Sequence, residues 1–289
     1  MYKNCINCGG RQKKAFRYIS STYYKCVNCG LVSTYPIPTK KQIIAHYENQ
    51  FRSGNYNLLK TNRKKYISVY KELADILIRE AGKGKKDLKN FTILDAGCFT
   101  GDFLELFKSK GVNFFGIEIQ KEAVEIARKK LKNKVVEGDI LSYKFNKENY
   151  DAITMLGLIE HVTDPMKLLK KARALLKKEG ILMIQTPNSG SLIAKIMSKY
   201  WPPFSPVEHI HIFSKDGLSE TLKTLGFEVA FKKNHWKKLP VEYIFNNLKT
   251  FGPEFHKILS KIYPFLPETI KKMTIPAYIG EMIILARKK

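Results

Sequence analysis

FTILDAGCFTGDFLELFKSKG, residues 91–111, decides the fold. An apolar run of strand length enters a turn with two glycines, and a helix follows whose Phe103, Leu104 and Phe107 fall on one side. That order points backbone N–H groups across the end of a parallel sheet, where ligands bind. The next strand, FFGIEI, ends with Glu118 about 20 residues past Gly97, where a carboxylate accepts the hydroxyls of a ribose. A dinucleotide fingerprint needs three glycines, whereas this turn has only Gly97 and Gly101. Asp95, just ahead of them, would repel a pyrophosphate and suits an ammonium. The implied ligand is a nucleoside with a cationic tail.

Two later stretches extend the pattern: VVEGDI at 135–140, and YDAITMLGLIEHVTDPMKLLKKARALLKKEGILMIQTPN at 150–188. With them, residues 91–111 resemble motif I of the class I S-adenosylmethionine-dependent methyltransferases, and most of the chain is similar to ubiquinone-biosynthesis-like members of that family. The resemblance implies an α/β fold, Rossmann-like, with the seven-stranded class I methyltransferase sheet. It implies S-adenosylmethionine as cofactor, held by Asp95, Gly97, Gly101, Glu118, Asp139 and Ile140, with Asp139 on the adenine amino group. Phe99 departs from the pattern by replacing the middle glycine, and its ring either covers the cofactor edge or turns into the core. A second departure is Gly157, which stands where relatives with an ExxEH arrangement have a first metal-ligating glutamate. Glu160 and His161 then lack a visible third donor, and His161 is read as a base or a hydrogen-bonded wall residue.

Cys5-Ile-Asn-Cys8-Gly9 and Cys26-Val-Asn-Cys29-Gly30 repeat one CxNCG unit, the spacing of a four-thiolate zinc site. Four protein ligands leave no open coordination position, so the expected zinc is structural. Disulfides and a redox CxxC are the competing readings, and neither explains a duplicated turn in a cytoplasmic chain. An N-terminal zinc ribbon over residues 1–38 follows, then a helical linker over 39–90 and the methyltransferase domain over 91–289. Some similar methyltransferases carry such a ribbon and sit among sugar, cell-envelope or secondary-metabolite genes.

EHIHIF, residues 208–213, reads as a strand with His209 and His211 on one face. It follows the lid-like WPPFSP, so His209 comes nearest the strand ends and is the first candidate base, with His161 facing it and His211 deeper. An insertion at about 235–276 carries Val241, Ile244, Phe245, Leu248, Ile258, Leu259 and Ile262 at helical spacing, with lysines opposite. Such helices cover a core, or lie on an anionic membrane through residues 241–272.

The formal charge of +25 attracts phosphate on RNA, lipid or metabolite, yet its lysines are scattered, as compositional bias alone would leave them. No apolar run is long enough to cross a bilayer and MYKNCINCGG has no apolar signal core, so a cytoplasmic, or membrane-peripheral, protein is expected. The expected reaction is methyl transfer to a small-molecule, sugar or lipid-linked acceptor. An RNA methyltransferase using ribbon and basic surface is the alternative, although no base-holding NPPY-like motif is present. A non-catalytic binding protein is the third reading, kept open by Phe99 and Gly157.

Overall fold

The computed structural model describes residues 4–52, 63–82, 89–145, 150–251 and 253–289. Along the chain come β1 (Gln12–Tyr18), β2 (Ser21–Cys26), β3 (Val32–Tyr35), α1 (Lys40–Arg52) and α2 (Arg63–Ala81). Next are β4 (Thr92–Ala96), α3 (Asp102–Glu105), β5 (Asn113–Glu118), α4 (Lys121–Leu131), β6 (Val135–Glu137), β7 (Tyr150–Leu156), α5 (Pro165–Leu175) and β8 (Leu176–Pro187). The chain continues through α6 (Leu192–Met197), β9 (His211–Ile212), α7 (Lys215–Thr224), β10 (Phe227–Pro240), α8 (Val241–Phe251), α9 (Pro253–Leu259), α10 (Glu268–Lys272) and β11 (Thr274–Lys288).

Seven strands form one sheet in the order β10-β11-β8-β7-β4-β5-β6. The five from β6 to β8 are parallel, and β11 runs antiparallel between β8 and β10. Central strands covered on both faces must be apolar throughout, and β4, β7 and β8 bury Leu94, Ile153, Met155, Leu182 and Ile184 completely. One face packs against Leu168, Leu169, Ala172 and Leu175 of α5. The other packs against Leu73, Ala74, Ile76 and Leu77 of α2. Helix starts follow local chemistry: Asp164 accepts from the Lys167 amide at 2.8 Å ahead of Pro165, and Ser214 accepts from the Gly217 amide at 3.1 Å. Strand order reverses at β4, whose neighbours are β5 and β7, and a ligand crevice opens at such a switch point.

The ribbon does not close on itself at residue 38. Its sheet runs β1-β2-β3-β9, with Val32 opposite Ile212 and Ser33 opposite His211. Trp201 and Phe204 share a buried cluster with Tyr23 and Val32, joining ribbon to domain. Two more differences from the sequence reading concern boundaries. Residues expected to be a linker supply α2 to the core and α1 to the crevice, because their apolar faces find partners far along the chain. The insertion is narrower than expected, since β10 and β11 stay paired out to Pro240 and Thr274 and leave the helices only 241–272.

Candidate functional site

A crevice of about 430 Å³ opens at the ends of β4, β5 and β7. Asp95, Gly97, Phe99, Glu118, Asp139 and Ile140 all line it. Gly97 has φ +72°, a conformation that favours glycine. Phe99, which stands where the middle glycine would, also lies in the left-handed region, at φ +47°, and lines the crevice. Gly101 does not line it: φ is +73°, and a Cβ there would fall 2.6 Å from Leu131 Cδ1 on α4, so this glycine serves helix packing.

Glu118 Oε2 accepts from the Phe99 amide and Oε1 from the Gln120 amide, both at 2.9 Å, which aims the carboxylate across the turn. Burial pushes its pKa up despite those bonds. Asp95 is buried, accepts from Thr154 Oγ1 at 2.6 Å, and is pushed up to about 7 by burial, with the Glu118 charge adding to the rise. Asp139 accepts from the Leu141 amide at 2.9 Å and pairs with Lys40 of α1 at 2.8 Å. Burial works against it, yet the Lys40 ammonium and that amide hold it below the usual carboxylate range. Asp95 and Glu118, two buried carboxylates whose charged forms burial disfavours, suit a positively charged ligand.

On the β7 side, Glu160, His161 and His209 each bring one ligand-type atom within 4.8 Å of the others. His161 and His209, expected to face one another, meet here with Glu160 as a third ligand-type group. Glu160 Oε2 accepts from Thr186 Oγ1 at 2.8 Å, and burial raises its carboxyl to about 6 against the pull of His209. His161 lines the crevice, its Nδ1 2.7 Å from Tyr47 Oη and its Nε2 3.8 Å from Glu160 Oε1. Burial and the neighbouring His209 hold it well below the usual imidazole range. A neutral ring facing a carboxylate keeps its proton on Nε2, so Tyr47 donates to Nδ1. His209 packs edge-on against His161, centroids 4.7 Å apart, with Nδ1 2.7 Å from the Pro203 carbonyl. A carbonyl only accepts, so Nδ1 carries the proton and Nε2 holds the lone pair.

EHIHIF is not one strand carrying both histidines on a face. The His209 amide donates to Ser205 O at 2.8 Å, which keeps that residue in a turn, and the chain meets the ribbon from Ile210 to Ile212. His211 is buried, 2.9 Å from Ser33 Oγ, and burial pulls it to about 4, so it belongs to the ribbon joint.

The four ribbon cysteines converge, with Cys5 and Cys29 sulfurs 3.6 Å apart and those of Cys8 and Cys26 3.5 Å apart. Those distances are far too long for a disulfide and match the edge of a thiolate tetrahedron with metal–sulfur bonds of about 2.3 Å. Both knuckles fold alike: Gly9 N donates to Cys5 O and Gly30 N to Cys26 O, with φ +69° and +71° at the glycines. The hydrogen bond shared by Cys5 and Cys29 pulls the Cys29 thiol down and pushes the Cys5 thiol up, so without a metal one proton is held between the two sulfurs. The domain grips this knuckle through Ser214 Oγ to Cys29 O at 2.7 Å and Ser189 Oγ to Gly30 O at 3.0 Å. At Gly217 a Cβ would meet Cys29 O at 2.1 Å. Gly217→Ala is expected to lower stability by about 1–3 kcal/mol, read as a fall in melting temperature.

Sheet order and crevice define a class I α/β methyltransferase. A model of the methyltransferase-domain family matches residues 62–230, and the chain belongs to that family. It is 31% identical over 188 residues to a ubiquinone biosynthesis O-methyltransferase of Pelagibacter ubique, covering 57% of this chain and 75% of that enzyme. It is 29% identical over 163 residues to a demethylmenaquinone methyltransferase of Thermotoga maritima, covering 48% and 71%. A solved S-adenosylmethionine-dependent methyltransferase of T. maritima, described as a possible histamine N-methyltransferase, shares the fold at TM-score 0.52, 21% identity, and 86% and 99% coverage. The protein is an S-adenosylmethionine-dependent methyltransferase.

Sequence reading missed Lys40 and Tyr47, whose apolar helix resembled a linker, and Thr154 and Thr186, which looked like ordinary strand residues. The amphipathic spacing of Ile43, Ile44 and Tyr47 was the available signal for α1, although nothing local says what it covers.

Proposed function

We propose that the protein methylates a hydroxyl oxygen of a quinone-like or other lipid-linked small molecule. The observation that carries this reading is His209, whose Nδ1 bond to Pro203 O leaves Nε2 as proton acceptor beside the buried Glu160. A base is what an oxygen acceptor requires, and the O-methyltransferase relative favours the same chemistry. Bound S-adenosylmethionine supplies an electrophilic methyl group. In the chain's own contribution, Glu118 accepts the ribose hydroxyls, Asp95 pairs with the ammonium, and Asp139 with Ile140 holds the adenine after Lys40 yields. His209 takes the acceptor proton, Glu160 stabilises the resulting imidazolium, and His161 with Tyr47 fixes the wall against which the acceptor rests. Cys5, Cys8, Cys26 and Cys29 hold a structural zinc.

A lipid-borne acceptor suits the insertion. There Ile258, Ile262 and Phe265 are exposed, Phe265 by 85%, beside Lys257, Lys261 and Lys272. No helix among the described residues is long and apolar enough to cross a membrane, so residues 241–272 would rest on the surface. An RNA acceptor remains the alternative for the basic ribbon. Incubation with labelled S-adenosylmethionine and a hydroxylated quinol is expected to give labelled methyl ether. Glu118→Ala should abolish most labelling by weakening cofactor binding about 10- to 150-fold, the loss of a charge-assisted contact of about 1.5 to 3 kcal/mol. Labelling of RNA but not quinol, with steeply salt-dependent RNA affinity, would overturn the reading.

Asp95 gives the cofactor site a pH dependence. Its carboxyl titrates at about 7 in the free protein, and only the anion attracts an ammonium, so binding below that pH must release a proton. Cofactor affinity is expected to be level above pH 7 and to fall by up to about tenfold per unit below it. Calorimetry at pH 6 and 8 measures this, and Asp95→Asn should bind more weakly with the slope gone. A slope that survives in Asp95→Asn would assign the proton elsewhere.

A further inference from the structure

We propose that the ribbon tip and α6 form a second face that seats the protein on an anionic lipid bilayer. This goes beyond the contact suggested for residues 241–272 and does not depend on methyl transfer. Leu192 and Ile196, one turn apart on α6, are 69% and 64% exposed, and Tyr200 just beyond is exposed too. Ile19, at the β1–β2 turn, is 70% exposed and has φ +53°, a conformation that β-branched residues rarely adopt. Neither its backbone nor its burial explains an isoleucine there. Tyr18 and Tyr200 pack edge-on with centroids 6.5 Å apart, which joins the ribbon tip to the end of α6 as one surface.

Charge selects the occupant. Residues 11–26 hold Arg11, Lys13, Lys14, Arg17 and Lys25, residues 188–206 hold Lys195 and Lys199, and neither stretch has an acidic residue. Arg17, Lys195 and Lys199 are exposed, and Lys199 Nζ lies 5.1 Å from the Tyr200 ring centroid. Separate apolar knobs among snorkelling cations suit the headgroup and upper acyl region of an anionic membrane. A bilayer there would be linked along the chain to the His209 region. The same segment runs on from Tyr200 to Pro203, whose carbonyl holds His209.

The test is co-sedimentation of the full chain with phosphatidylcholine vesicles containing phosphatidylserine, at low salt. Two double variants are compared, Leu192→Ser with Ile196→Ser, and Ile258→Ser with Phe265→Ser. The α6 variant is expected to lower vesicle partitioning about tenfold or more, with melting temperature and cofactor affinity unchanged. No binding by the unaltered protein would overturn the proposal. So would an α6 variant that partitions normally, whether or not the insertion variant is impaired. If the α6 variant partitions normally but changes oligomeric state in light scattering, the face is a contact between copies of this chain. Quinol methylation in detergent reports on the function proposed above separately, so failure of one reading leaves the other standing.

Discussion

Cys26→Ser is expected to remove the zinc, release the ribbon, and cost at least tenfold in turnover while leaving cofactor affinity within about threefold. Cys26 is buried, and its sulfur lies 3.5 Å from that of Cys8. Structural four-ligand zinc sites contribute apparent binding energies of about 10–16 kcal/mol, more than the tyrosines and backbone bonds of so small a sheet can replace. The loss reaches the acceptor side through a continuous path. The Thr34 amide donates to Ile210 O at 3.0 Å, β3 pairs with β9, and the Ile210 amide donates to Glu160 O at 2.7 Å. His209 sits inside that path, whereas Asp95 and Glu118 stand at the ends of β4 and β5, outside it. Metal analysis should give one zinc per chain for the unaltered protein and none for the variant. Full turnover by a zinc-free variant would show that ribbon and acceptor side are uncoupled.

That path also shows where the sequence was readable and where it was not. Residues 91–111 carry their meaning locally: strand, glycine turn and helix are neighbours, and Asp95 to Glu118 spans a single β-α-β unit. The CxNCG repeat is local in the same sense, because each knuckle closes its own bonds between Cys and Gly within a few residues. EHIHIF is the opposite case. Its pairing partner lies 178 residues away at Ser33, so periodicity could supply a strand but not the sheet it joins. Nor could it supply the turn at Ser205, which separates His209 from the strand. Tyr47 failed for the same reason, since its partner His161 is 114 residues away. Its helix looked like a linker until the fold placed the crevice beneath it.

His209→Ala is expected to reduce kcat by about 10²- to 10⁴-fold on a hydroxyl acceptor, with cofactor affinity unchanged. The range is that of a lost general base, the role proposed for His209. Pro203 O fixes the proton on Nδ1, and the buried Glu160 lies close to the ring. His161 cannot serve in the same way, because its Nδ1 is taken by Tyr47 and its environment resists a charge. His161→Ala should therefore cost less in kcat and more in KM, since the wall moves while the base stays. His211→Ala opens a cavity at the ribbon joint, so its main effect should be a lower melting temperature. Stopped assays over a range of acceptor concentrations separate these outcomes. Equal, small losses at 209 and 211 would make both histidines scaffold. Turnover that vanishes with a chelator and returns with added divalent metal, while the ribbon zinc stays bound, would make Glu160, His161 and His209 a metal cradle instead. With a base at 209, turnover should ignore the chelator, and an acceptor whose hydroxyl is already acidic should lose much less than a poorly acidic one in His209→Ala, because it needs the base less.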